Sequence, residues 1–392
     1  MMKKASGFTA AVAFFFALSA IAGAKTVGVT VGDKELKADI GVLGQLVYVS
    51  DKSDQIVSDT FDVNRLRISI DSQPADAVKV KASLEESGNL SPLTPGLGGL
   101  GGRYGESSGA AGSRLVDLYV DLTYLDWVTV RAGQFPLPMG LELTADEYGL
   151  ETINYSQLTS AFVHRDRGIM FFGDAGDDEI FDWAIGVVNG AGAETAAALA
   201  ISGAVTGAVN DTNDRKDWFA LLGVTPISNL YFESWYYDGT TTCVAGVCNA
   251  TQTTSSDIDL WGLALDWSYY NFRFAGEYAQ LKYSNAAAFT MKQKDWYLHG
   301  SYKIPETDLQ LVLRYDRFDE NTSTANNEIK VTTVGLNWDF EDNVRLQLNH
   351  EFVTMGTGTT NAAGALLYGE PSVTGGLSGE EDRTTLQLSF RI

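Results

Sequence analysis

Residues Val128 to Glu142 read VTVRAGQFPLPMGLE. The stretch opens as an alternating strand, with Val128, Val130 and Ala132 on one side and Thr129 and Arg131 on the other. The alternation breaks at Gly133, and Pro136 and Pro138 cannot donate to a hydrogen-bonded ladder. From Leu141 to Arg167 the chain is polar and shows no strand period. This pattern predicts the end of a barrel strand, from which a loop turns inward and narrows a pore.

Outward from that stretch, segments of about ten alternating residues recur. At the C-terminus Leu386, Leu388, Phe390 and Ile392 alternate with Thr385, Gln387, Ser389 and Arg391. In 65–71, Leu66, Ile68 and Ile70 oppose Arg65, Arg67, Ser69 and Asp71, and Leu115 to Thr123, 308–315 and 343–352 repeat the theme. The pattern predicts sixteen strands: 36–50, 61–71, 74–85, 113–123, 126–135, 166–174, 180–190, 215–226, 228–239, 257–268, 271–284, 288–304, 307–318, 328–340, 342–355 and 381–392.

A soluble sandwich also alternates, so the links decide. Short ones (Ser72-Gln73, Tyr124-Leu125, Ala175 to Glu179, Ile227, Tyr269-Tyr270, Pro305-Glu306, Glu341) alternate with long ones, only 285–287 being brief on the long side. Outer-membrane barrels segregate loop length in this way, with short periplasmic turns and long extracellular loops. Full charges on the polar side suit a water-filled lumen. Trp127, Trp183, Trp267 and Trp338 beside short turns, and Trp218 and Trp261 near long links, fit two aromatic girdles. The expected fold is all-β: a transmembrane antiparallel β-barrel of about sixteen strands, a size that leaves an aqueous channel.

The start of the chain agrees with export. Lys3 and Lys4, the apolar run Ala10 to Ile21 and Ala22-Gly23-Ala24 make a signal peptide over 1–24. Residues 25–35 are then a short periplasmic lead-in and 36–392 the barrel. Without the signal peptide 26 bases face 50 acids, a net charge of −24, which repels nucleic acid. With 17 Tyr, 19 Phe and 8 Trp the chain is too aromatic to be disordered. Cys243 and Cys248, spaced C-x4-C, are expected to close a small disulfide loop, with a pair of free thiols as the alternative. No metal or cofactor set is evident.

The chain resembles the phosphate-selective porin O and P family. The resemblance is carried by VTVRAGQFPLPMGLE, by DLYVDLTY at Asp117 to Tyr124 and by AFVHRDRGIMFFGD at Ala161 to Asp174. FDVNRLRISID at Phe61 to Asp71 and the terminal LQLSFRI add to it. It implies a sixteen-stranded bacterial outer-membrane porin, usually a homotrimer, whose third loop folds into the lumen. One departure stands out. Phosphate selectors line the pore with arginine ladders and a lysine cluster, whereas here Glu142, Asp146, Glu147 and Glu151 come first on the loop, before His164, Arg165 and Arg167.

The expected constriction therefore sets wall arginines (Arg65, Arg67, Arg131, Arg314 and Arg345) against the loop acids, with Arg165 and Arg167 at the loop's end. The competing reading pairs those arginines with Asp71, Asp117, Asp121 or Glu351 on neighbouring strands. The function expected is passive diffusion of ions and small hydrophilic solutes across outer-membrane lipid, weakly selective or leaning to cations. A scaffold or sheath for a surface or electron-transfer partner is the alternative, its Gly- and Ala-rich loops at 86–112 and 191–214 serving as docking sites. The chain has no C-x-x-C-H haem attachment motif of its own. An outer-membrane hydrolase ranks last, since His164, His299 and His350 assemble no Ser–His–acid set.

Overall fold

The computed structural model describes residues 25–31, 34–52, 57–87, 114–162, 165–176, 180–190, 215–242, 255–285, 290–357 and 379–392. The signal peptide, the Cys243–Cys248 pair and His164 lie outside the described residues. Sixteen antiparallel strands close a ring. They are β2 (Lys34–Lys52), β3 (Val57–Ala75), β4 (Val78–Ser87), β5 (Arg114–Leu125), β6 (Val128–Pro136), β7 (Arg165–Ala175), β8 (Phe181–Val188) and β9 (Asp217–Ile227). The rest are β10 (Leu230–Thr242), β11 (Ser255–Tyr269), β12 (Phe272–Asn285), β13 (Thr290–Lys303), β14 (Leu309–Asp319), β15 (Glu328–Glu341), β16 (Val344–Met355) and β17 (Gly379–Arg391). Each pairs with its sequence neighbour, and β17 returns to β2 through Phe390 opposite Gly44 and Leu386 opposite Tyr48. Closure leaves the ring without an unpaired edge.

A seventeenth strand, β1 (Lys25–Val31), pairs with the start of β2, Lys25 opposite Ile40. It occupies the edge of β2 that β17 leaves at Arg391 opposite Leu43. The lead-in expected over 25–35 is thus strand, because KTVGVTV alternates well enough to use that free edge.

The short turns fall slightly later than the alternation suggested. They sit at Asp76-Ala77, Asp126-Trp127, Ser228-Asn229, Tyr270-Asn271 and Asp342-Asn343. Asx residues favour the tight, left-handed corners that β-branched and aromatic residues resist. Tyr270 itself is drawn to φ 52° beside Asn271.

The strand β6 stays paired through Gly133 and ends at Pro136, within one residue of the expected 126–135. Gly133 takes φ 136°, and a Cβ there would lie 2.1 Å from the Leu118 carbonyl oxygen of β5. The glycine therefore lets β5 pass close to β6 at a torsion other residues resist, while the pairing runs on through it.

The outer face is apolar. Ile68, Leu118, Ile185, Leu263, Leu313 (56 % exposed) and Leu348 all point away from the lumen. Trp127 (65 % exposed), Tyr269, Tyr270 and Trp338 ring the short-turn end, with Trp267 stacked between Tyr269 and Phe274. A continuous apolar band with aromatic rims is the surface of a barrel in a bilayer. Among the described residues no helix is long and apolar enough to cross a membrane.

The inner face departs from the expected polar lining. Toward the long links of β9 to β16 the inward positions are Phe219, Leu221, Ile258, Leu260, Leu281, Ile329, Val331 and Val353, all buried. They face Phe135, Leu137, Met139, Leu143, Leu158 and Phe162 from the segment after β6. That segment has a hydrophobic core inside the barrel.

Candidate functional site

The segment from Leu137 to Phe162 enters the lumen and ends in one short helix, α1 (Gln157–Phe162). Ser156 caps the helix, its Oγ accepting from the Thr159 amide at 3.1 Å. On the outer flank of α1, Phe162 packs on Phe318 of β14 with ring centroids 6.1 Å apart.

The root of the loop is clamped by two wall carboxylates. The Gly140 amide donates to Glu233 of β10 and the Leu141 amide to Glu277 of β12, each at 2.8 Å. Tyr297 Oη donates to the same Glu277 oxygen at 2.5 Å. Gly140 takes φ 81°, and a Cβ on it would come within 2.5 Å of Glu277 Oε2. The Met-Gly-Leu-Glu turn thus needs its glycine for both torsion and approach.

Beyond the root every loop acid meets a wall base. Glu142 pairs with Arg314 at 3.2 Å, and its other oxygen accepts from the Ser156 amide at 2.7 Å. Asp146 pairs with Arg391 at 2.9 Å, both well exposed, so that contact adds little. Glu147 lies 2.5 Å from Arg67 of β3 and 3.5 Å from Arg165 of β7. Glu151 meets His299 at 2.5 Å, Arg273 at 3.2 Å and Gln310 at 2.6 Å.

Arg314 is the deepest anchor, 2 % exposed. It donates to Asp316, to Thr152 Oγ1 at 2.6 Å, and to the carbonyls of Asn154 and Tyr155 at 2.9 and 3.0 Å. Arg345, held by Asp339, reaches the carbonyls of Tyr148 and Leu150. Asn337 donates to the Glu151 carbonyl and Gln347 to that of Leu150. Polar groups of nine strands, from β3 round to β17, thereby hold the loop across the lumen.

The other expected site residues pair along the wall. Arg131 donates two bonds to Asp121, its register partner, at 2.7 and 2.8 Å. Arg65 and Arg67 share Glu85, Arg165 also holds Asp117 at 2.9 Å, and Arg167 donates to Gln134 at 2.9 Å. Both readings of the arginines therefore describe part of the site. Arg131 makes the cross-strand pair, Arg314 reaches the loop, and Arg67 and Arg165 do both.

The sequence reading passed over Glu233, Glu277, Arg273, Gln310 and Asn337, and weighed His299 only as a catalytic residue. A signal existed in strand parity: each lies on the inward set of its strand, beside residues expected to face the lumen.

Burial alone would raise the carboxyls of Glu147 and Glu151. Arg67, Arg65 and Arg165 around Glu147 overcome it and hold that group at about 2. The His299 hydrogen bond and the Arg273 charge do the same for Glu151, also to about 2. A depressed carboxyl stabilises docking fully above its free value near 4.3, and the contribution is lost as pH falls through 2. Single-channel conductance is expected to stay constant from pH 7 to about pH 5 and to change in steps between roughly pH 4 and pH 2 while strand circular dichroism persists. A constant conductance down to pH 2 would remove these two pairs from the docking.

Residues 237–367 match the family model described as phosphate-selective porin O and P. No curated protein matches the chain in sequence. Among solved structures, the anion-selective porin from Comamonas acidovorans superposes with a TM-score of 0.61 at 13 % identity, over 91 % of this chain and 100 % of that one. OmpF of Salmonella typhi, in complex with daunomycin, gives 0.62 at 8 % over 93 % and 100 %. The trimer form of OmpT, an outer-membrane protein of Vibrio cholerae, gives 0.59 at 10 % over 91 % and 99 %. At such identities the structures speak for the fold, while the family model speaks for the sequence from β10 onward. The resemblance first drawn from Val128 to Glu142 is thus met by a match on another part of the chain, and the protein is a bacterial outer-membrane barrel of porin fold whose residues 237–367 are similar to the phosphate-selective porin O and P family.

Proposed function

We propose that the chain is a diffusion porin, weakly selective with a lean to cations, that performs no bond chemistry and assembles as a homotrimer. The observation that carries the channel reading is the loop from Leu137 to Phe162, held inside a closed ring of sixteen strands by groups on many of them. A loop fixed across a lumen sets the bore, and the charges left beside it set ion preference.

Three observations support the lean to cations. Arg65, Arg67 and Arg165 are matched by Glu85, Asp117 and Glu147, so the arginine cluster carries no net charge. Asp174, Asp182 and Glu233 at the short-turn side of the loop line one cavity with no ion pair among the described residues. The chain as a whole carries a formal charge of −22. Against an enzyme, His299 is engaged by Glu151, and His350 bonds Thr384 on the wall.

Planar-bilayer recording of the reconstituted protein tests the reading. In a KCl gradient the reversal potential is expected to favour K⁺ modestly, and large voltages are expected to close each insertion in three equal steps. Strong chloride preference would overturn the cation lean. Absence of any conductance would overturn the porin reading itself and favour the scaffold.

A further inference from the structure

A cavity of about 480 Å³ lies under the loop root, against the wall from β6 to β10 and open toward the short-turn mouth. Its volume is that of a small-molecule site. We propose that it is a solute station for zwitterions whose ammonium and carboxylate are separated by several methylenes, such as an ω-amino acid. The proposal rests on the channel reading above and names a solute class for it.

One end of the cavity is a fixed cation. Arg131 spends Nε and Nη2 on Asp121, and its guanidinium lies over the Tyr119 ring at 3.9 Å and near the Phe172 ring at 5.0 Å. Its Nη1 edge makes no hydrogen bond among the described residues. A guanidinium locked by a carboxylate and by stacking, with one edge left over, is prepared for a second carboxylate at little entropic cost.

The other end is a pair of carboxyls that share one phenol. Tyr231 Oη stands 2.9 Å from Asp182 Oδ2 and 3.0 Å from Glu233 Oε2. A phenol has one proton, so it serves only one of these oxygens at a time. An ammonium brings three donors to the place where one is missing. The Asp182 carboxylate also has space made for it: its register partner is Gly223, where a Cβ would lie 2.1 Å from Asp182 Oδ1.

Between the ends the floor is apolar, with Met170 and Phe172 of β7 and Leu221 of β9. Arg131 on β6 lies opposite Met170 of β7 and, through it, Gly186 of β8, so Asp182 is two strands across and four residues along the wall, a Cα separation of roughly 16 Å. An α-amino acid is too short to satisfy both ends, so the solute needs a stem of several methylenes, which the apolar floor accepts. The loop contributes Pro138 and Thr144 as a roof, so a solute leaving the constriction passes this station.

The test uses the whole reconstituted channel, with 6-aminohexanoate, hexanoate and hexylamine added in turn to the short-turn side. The zwitterion is expected to block the K⁺ current at concentrations at least tenfold below either singly charged analogue. R131Q is expected to remove the advantage over hexylamine, and D182N the advantage over hexanoate. The KCl conductance of each variant is recorded first, to show that it folds and inserts. Equal block by all three probes, or variants that leave the ranking unchanged, would overturn the proposal while leaving the porin reading intact. A wild-type protein with no KCl conductance would take the porin reading down and this proposal with it.

Discussion

Replacing Arg314 with alanine is expected to release the loop from the far wall and raise single-channel conductance, with added open-channel noise, while the barrel stays folded. The reason is the concentration of contacts on one side chain. Its guanidinium holds Asp316, Glu142, Thr152 and the carbonyls of Asn154 and Tyr155, so one truncation unties 142, 152, 154 and 155 together. It also leaves Glu142 and Asp316 buried without their base. Removing one partner of a buried ion pair costs about 3–5 kcal/mol, several times the roughly 1 kcal/mol of each single hydrogen bond that Asn337 and Gln347 make to the same loop.

Strand pairing in β13 to β15 is backbone work and does not depend on this side chain. The checks are conductance, protease cutting between 137 and 162, and retention of the compact barrel on unheated gels. Arg314→Lys keeps the charge but loses the planar fork that reaches two carbonyls, so it should fall between wild type and alanine. Unchanged conductance and unchanged protease resistance in Arg314→Ala would show that the apolar packing around Leu143 and Leu158 suffices without the anchor.

Barrel architecture was legible because it is written in a period of two. Leu66, Ile68 and Ile70, or Leu386, Leu388 and Phe390, state their faces unaided, and link parity states which end is which. Boundaries were less legible, since alternation runs on into the turn: Tyr124 and Leu125 looked like a link but belong to β5, and Asp126 makes the corner. The inner core was not legible at all. Phe219, Trp235, Ile258 and Val353 point inward where the rule for a porin wall asks for polar groups, and only the loop's own Leu137, Met139 and Phe162 explain why. A rule about one wall cannot anticipate what packs on it from within.

The site was legible on the loop and opaque on the wall. Glu142, Glu147 and Glu151 could be named because they cluster in sequence. Their partners sit more than a hundred residues away on β12 to β14, apart from Arg67 and Arg165. Register decides which inward base meets which acid, and a one-residue slip in β14 would have turned Arg314 to the lipid. The family match falls on 237–367, the part that looked like generic barrel, rather than on the Gly-Pro break. The break is explained instead by the close approach of β5 at Gly133 and by Gly140 meeting Glu233 and Glu277.

Ion preference should respond to Glu147 more than to any other loop acid, because Glu147 completes a neutral cluster. Arg65, Arg67 and Arg165 stand against Glu85, Asp117 and Glu147, three charges of each sign. Glu147→Gln keeps the shape and leaves an excess of one positive charge beside the loop. A unit charge about 5 Å from a passing ion shifts K⁺ and Cl⁻ by roughly 0.8 kcal/mol each, in opposite directions, even at the dielectric constant of water, which is about a sixteenfold change in their permeability ratio. The K⁺ to Cl⁻ ratio is therefore expected to fall by about sixteenfold in Glu147→Gln and to rise by about as much in Arg67→Gln. The double variant restores the charge balance and should return near the wild-type ratio, because the two residues touch at 2.5 Å and act as one pair. Loop docking survives in each single variant, since Arg314, Arg345, Asn337 and the partners of Glu151 still hold the loop. Reversal potentials in a tenfold KCl gradient read all three. Shifts of the same sign in both single variants would mean that the pair acts by holding the loop, and that ions pass along another wall.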